Sequence, residues 1–516
     1  MKHVNAFERF VPFLRGSYVS ILAVFLIVCY AAELRAERFQ LFNRPLDVYG
    51  LFSQNVQLCS KDAFDTEQGV NAAIWSAIFE GAYKPAEDFN VFSQVVLTGD
   101  LVYELKESDD SWTAKGFGCS RSELALDDQY WQIFKELHTT WTPGPFLVRL
   151  GKQIISWGQT DGLRLMDQIN PLDFRRGFSD VEFETTVIPI WLIRADYSPP
   201  LGCTCLQDLN FQLWYNPNAD FIPTQNITPG NNEGGIWAPF VELPAPIPGK
   251  TLLGASSQNI EKPKEWTEGH EIGFRIQGTF HDTLASLNVF YGRENEPLLR
   301  TAGPPRLELD AVPGINLLHP VQEGFFPRLR FVGGTLSRDL SSLRRLFFGI
   351  SPVLRVEAFY AFDSGFLRSL PLQGGERFEK HDEVRWSIGL DWKVRLPILS
   401  PSGIVVSPQF FHRHVSGVSS ETALMSPSGS VERDNYSVSL MLRTAYLNER
   451  MPVSLFCFRD ITGKAGYWKP SIGYLWDAHW SVEAGALFFD GERKGESFQV
   501  FDHKDFFYLN VSYKWG

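Results

Sequence analysis

Polar and apolar residues alternate strictly through the second half of the chain. In "VRWSIGLDWKV", Val384, Trp386, Ile388, Leu390, Trp392 and Val394 fall on one face. Arg385, Ser387, Gly389, Asp391 and Lys393 fall on the other. "EIGFRIQGTF" sets Ile272, Phe274 and Ile276 against Arg275, Gln277 and Thr279, and "LRVEAFYAFD" sets Leu354, Val356, Ala358, Tyr360 and Phe362 against Arg355, Glu357 and Asp363. Period two at this length predicts strands of the ~9–11 residues that a tilted crossing of a bilayer needs. The polar faces mix both signs of charge, which suits a water-filled lumen better than a packed core.

Tight reversals join many of these runs, at His281-Asp282, at Asp477-Ala478 and within "LNERMPVS" and "LPILSPSGIVVS". Other connections are long and rich in Pro, Gly, Asn and Ser: 217–268, 295–325, 365–381 and 416–432. Short turns at one end and long loops at the other predict an all-β transmembrane antiparallel barrel. About seventeen periodic runs follow Val48, and closure with an even number gives sixteen or eighteen strands. A soluble solenoid would show one repeat length, and a soluble sandwich would not set so many aromatic residues beside its polar face. In the last run, "FYLNVSYKWG", Phe507, Leu509, Val511, Tyr513 and Trp515 point outward. That is the kind of ending barrel-assembly machinery reads, displaced by one residue because Gly516 follows.

Two stretches break the alternation. Residues 64–89 place Val70, Ala73, Ile74, Ala77 and Ile78 at helical spacing, predicting a short helical insert in the lumen or on the rim. In "LVRLGKQIISWGQTDGLRLMDQINPLDFRR", the strand ends at "IISWG" and an inserted segment, 159–187, leaves the sheet before a strand resumes at "IPIWLIRADY". Pro171 ends any helix that "LRLMDQI" starts.

The N-terminus supplies the address. Lys2, Arg9 and Arg15 precede an apolar run from Tyr18 to Ala32, which reads as a secretory signal peptide over 1–36, cleaved after Ala36. The run is shorter than the ~20 residues of a spanning helix. The single barrel therefore occupies 37–516. Composition agrees: aromatics are 14% and charged residues 21%, with a mean hydropathy of −0.13, as expected when only alternate strand residues meet lipid. A net charge of −12 argues against nucleic acid as a partner. Cys59, Cys119, Cys203 and Cys205 could pair as disulfides in an oxidising compartment, with the pairing open.

The stretch 147–176 carries a resemblance. "RLGKQIISWGQTDGLRLMDQINPLDFRR" with "IPIWLIRADY" resembles the fingerprint of an uncharacterised, domain-of-unknown-function family of Gram-negative outer-membrane β-barrels, porin-like in character. Gln159 stands where many members have Glu. The resemblance implies an outer-membrane location among lipid and lipopolysaccharide, and for some members work beside envelope exporters of hydrophobic cargo. It implies no reaction.

Expected lumen residues are Arg149, Lys152, Arg164, Arg175 and Arg176 facing Asp161, Asp167 and Asp173, with Arg275, Arg355, Glu357, Arg385, Asp391 and Lys393 on the wall. Such a cluster either sets a transverse field that selects small solutes or pairs with itself to fix the segment to the wall. Catalysis, metals and cofactors find little support. No phosphate loop, HExxH or GxSxG occurs. His479 and Ser481 sit at a turn, His412 and His414 lack a companion carboxylate pattern, and Cys203-Thr204-Cys205 lacks further ligands at metal spacing. "VELPAPIPGK", 241–250, could fold inward as a gate or outward as a docking strand. The expected activity is solute passage through a polar lumen. The rivals are a component of an export or uptake system with a periplasmic or inner-membrane partner, and an outer-membrane enzyme or adhesin.

Overall fold

The computed structural model describes residues 39–59, 69–105, 134–161, 163–172, 186–200, 206–217, 241–243, 251–254, 257–261, 263, 266–312, 314–347, 349–369, 376–418, 424–426, 429–493, 497–502 and 504–515. The expected signal peptide, Asp173, Arg175, Arg176, Cys119, Cys203, Cys205 and most of 241–250 lie outside these residues. Cys59 ends a strand and is half-buried.

Eighteen strands close into one antiparallel barrel. In chain order they are β1 Arg44–Cys59, β2 Gly69–Ala86, β3 Phe89–Asp100, β4 Phe134–Trp141, β5 Phe146–Gln153 and β6 Ile190–Tyr197. Next come β7 Leu206–Asn216, β8 Glu271–Phe280, β9 Thr283–Arg293, β10 Arg328–Asp339, β11 Val353–Ser369 and β12 Glu376–Val394. The last six are β13 Ile404–Val415, β14 Asp434–Tyr446, β15 Met451–Asp460, β16 Ala465–Leu475, β17 Trp480–Gly491 and β18 Phe506–Trp515. Each pairs with its neighbour, and β18 closes on β1 from Trp515–Gly50 to Phe506–Cys59. Closure leaves no sheet edge to satisfy within lipid. At the seam Gly50 is needed for space: a Cβ there would lie 1.8 Å from the Trp515 ring.

Connections after even-numbered strands are short and those after odd-numbered strands mostly long, so the ends of the barrel differ. The turn after β16 shows how a short one is built: Asp477 accepts backbone N–H bonds from His479 and Trp480 at 2.8 and 2.7 Å. Those donors hold its carboxyl below the ordinary carboxylate range. The alternation in β8, β11, β12 and β18 sorts as the sequence predicts, with Ile272, Tyr360, Ile388 and Leu509 exposed on the outside.

Three expectations need correction. Residues 69–86 form wall strand β2 rather than a helical insert, paired with β1 and β3 over its length. Its inward Ala72, Ile74 and Ile78 are as apolar as its outward Trp75 and Phe79, and Ala72 and Ile74 pack into an inner apolar cluster with Phe458, Tyr467, Leu487 and Phe506. Two apolar faces erase period two. The stretch 365–381 is mostly strand, since β11 and β12 extend past the lipid belt after a bulge at Asp363, whose φ is +50°. Residues 295–325 hold a hairpin, Leu298–Val312 with Ile315–Phe325, onto which strands 251–254 and 257–261 add in parallel.

Candidate functional site: a segment folded onto the inner wall

Beyond Gln153 the chain leaves the sheet and turns into the lumen, so the strand ends before "IISWG" rather than after it. The described parts of the segment 154–189, which are 154–161, 163–172 and 186–189, are shaped by their own side chains. Asp167 accepts hydrogen bonds from the backbone N–H of Trp157 at 2.6 Å and of Gly158 at 2.9 Å, with the Ser156 hydroxyl at 3.3 Å. A Cβ on residue 158 would lie 2.7 Å from that carboxylate, so glycine is the residue that fits. Asn170 clasps both ends: its Oδ1 accepts from Ile155 N at 2.8 Å and its Nδ2 donates to Ile188 O at 3.0 Å. Trp157-Gly158, Asp167 and Asn170-Pro171 thus build a loop; among the described residues they converge on no reactive centre.

What the loop rests on is apolar. Trp214, Phe290, Phe331 and Phe359 point inward from β7, β9, β10 and β11, with ring centroids 5.9, 5.1 and 5.1 Å apart in succession. Gly273 on β8 leaves room for the Trp214 ring, which a Cβ would meet at 2.3 Å. Trp157 packs on this ribbon, 6.1 Å from Trp214 and 6.4 Å from Phe331, and Ile155, Leu165, Met166 and Ile169 complete a buried core inside the barrel. Over these strands the inner face is therefore a packed core, not a wet one.

Polar contacts pin the tip. Glu357, 1% exposed, accepts from the backbone N–H of Gln159 and, at 3.3 Å, of Met166. Arg355 donates to the Gln159 carbonyl, to Asp161 at 2.6 Å and to Asp391 at 2.8 Å. Gln409 on β13 accepts from Asp161 N at 3.1 Å and donates to its carboxylate at 2.9 Å, and Trp157 Nε1 donates to Gln212 on β7 at 2.9 Å. These partners run from β7 to β13, so the segment lies along one arc of the wall. Arg355 is the third residue of β11 from the short-turn end, which sets the depth of the tip.

The expected charge array separates into parts. Asp161 meets Arg355 and Asp391, whereas Asp167 serves its own loop and Arg164 donates to Asn170 O at 3.0 Å. Arg275 donates to Ser156 O at 3.3 Å. Arg149 points inward directly across from Arg194 and bonds Thr140 at 3.0 Å. Lys152 does not join them: it sits on the opposite row with Val148 and Leu150, paired with Leu137 and Trp191, because a single-residue step along a strand reverses the face. Arg385 packs over Phe359 and, with Arg413, holds the buried Glu383, while Lys393 is exposed at the short-turn end. Alternation could have found Arg194, which pairs with Asp196 at 2.6 Å, and Glu383. Nothing local marks Gln212 or Gln409, whose partners are 55 and 248 residues away.

On the far arc, β14 to β3, the inner face is different. Ser437, Ser439, Asn510, Ser512, Ser53, Asn55, Ser76 and Thr98 turn inward with Glu483 and Glu80. One side of the lumen thus carries the docked segment with Arg149, Arg194 and Arg275 beside it, and the other a hydroxyl and amide surface on which Lys469 and Arg443 also turn inward.

A closed barrel with a long loop folded onto its inner wall is a porin-like outer-membrane fold. The profile of one family, described as a protein of unknown function (DUF1302), matches residues 73–515, and the chain belongs to that family. No curated protein matches the sequence. Among solved structures the chain is similar to OccAB3 of Acinetobacter baumannii, with a TM-score of 0.44, 10% identity and coverage of 92% of this chain and 100% of that one. It is similar to OccAB4 of the same organism at 0.44 and 7%, covering 93% and 98%. OccK5 (OpdH) of Pseudomonas aeruginosa follows at 0.42 and 8%, covering 91% and 98%.

Proposed function

We propose that this protein is a porin-like channel in the outer membrane of a Gram-negative bacterium, through which small polar solutes pass between the docked segment and the facing wall. One observation carries the reading: the tip of 154–189 is hydrogen-bonded to inward Glu357, Arg355 and Gln409 and packed on one arc, so it narrows the lumen from one side. A solute then moves between a guanidinium-bearing surface and a hydroxyl-bearing one, and this transverse asymmetry orients dipolar solutes and sorts ions by sign. No covalent step is needed. The test is single-channel recording of the purified barrel in planar bilayers. Discrete conductance steps are expected; a folded barrel that never conducts overturns the reading.

A further inference from the structure

The short-turn end of the barrel carries one patch unlike the rest. The connections 340–352 and 395–403, on either side of the β11–β12 pair, contain Arg344, Arg345 and Arg395 and no acidic residue. Arg338 points outward at the end of β10 beside them. All four are exposed, and among the described residues none is ion-paired. Four other short turns carry acids: Glu87 with Asp88, Asp282, Glu449 and Asp477. In a chain of net charge −12, this rim gathers cations in one place.

Greasy side chains stand among them. Leu346 is 74% exposed and Ile398 is 99% exposed, extreme values for such residues. The first connection does not hang freely below the barrel. Its Phe347 packs edge-on against Trp392 at 4.9 Å, and Trp392 belongs to the outward row of β12 with Ile388 and Leu390. That contact reaches across β11 and draws the turn against the outer, lipid-facing surface. Arg344 is fixed there by an Nε bond to Gly349 O at 2.7 Å. Exposed leucine and isoleucine continuous with the lipid belt, ringed by unpaired guanidinium groups, match a membrane interface: alkyl groups among acyl chains, arginines at phosphate level.

We infer that this rim binds anionic phospholipid headgroups of the adjoining leaflet, fixing the barrel's depth and gathering such lipids around β10 to β13. The inference assumes the membrane location proposed above but not that the barrel conducts. Each arginine near a charged surface contributes roughly fivefold in binding, less as salt rises.

The test uses the full-length, delipidated barrel incubated with dioleoylphosphatidylglycerol or dioleoylphosphatidylcholine and read by native mass spectrometry. The wild type is expected to retain phosphatidylglycerol at least roughly 25-fold better than phosphatidylcholine, the product of two such contributions. R344Q/R345Q should lose most of that preference, and R450Q, at another short turn, should keep it. If the double variant does not assemble, R395Q is read instead, with about a fivefold loss expected. Equal retention of the two lipids by the wild type, or full preference in the arginine variants, overturns the inference; a surface for an acidic protein would give that first result. Conductance measured on the same preparations reports separately on the channel reading.

Discussion

Replacing Glu357 by alanine tests how the docked segment is held. The carboxylate is buried and accepts two backbone N–H bonds, from Gln159 and Met166, in the loop that joins β5 to β6. Hydrogen bonds to a buried charged group contribute about 1.5–3 kcal/mol each, and the Met166 bond at 3.3 Å belongs at the low end. The substitution therefore removes roughly 2–5 kcal/mol from docking of the tip. The core of Trp157, Leu165, Met166 and Ile169 is untouched, so the segment stays on the wall most of the time. Its undocked population, however, rises by a factor of roughly 30 to several thousand, at tenfold per 1.4 kcal/mol. In planar bilayers Glu357→Ala should show a second, larger conductance level and more open-channel noise, with unchanged heat-dependent gel mobility of the barrel. Glu357→Gln, which keeps an acceptor, should lie between. Traces of Glu357→Ala indistinguishable from wild type would show that the tip is held by other contacts or does not border the conducting path.

Other substitutions probe the remaining contacts. Arg149→Gln and Arg275→Gln should each move the reversal potential in a salt gradient toward cation preference, and an unmoved potential removes that residue from the path. Trp157→Ala, which empties a site only 1% exposed, should cost the segment about 3–5 kcal/mol and make it protease-sensitive while the barrel persists; limited proteolysis reads this directly. Gly50→Val forces a side chain into the Trp515 ring at the seam, and overpacking of about 1–3 kcal/mol should lower the temperature at which the barrel loses its compact gel mobility. Unchanged mobility would mean the ring swings away without cost.

Period two in the sequence determined the barrel and the inward and outward rows of β8, β11, β12 and β18. Those properties are local: lipid outside and a separate inside enforce alternation residue by residue. Alternation failed where both faces are apolar, and so β2 resembled a helix. It also failed where like residues have unlike partners: Asp161 and Asp167 look equivalent in the chain, yet one meets Arg355 on β11 and the other caps its own loop. Only the tertiary structure decided that Trp157 rests on Trp214 and Phe331, and that Glu357 and Gln409 hold the tip. These outcomes depend on which strands curve to face one segment, and closure of the ring fixes that over separations of nearly two hundred residues and more.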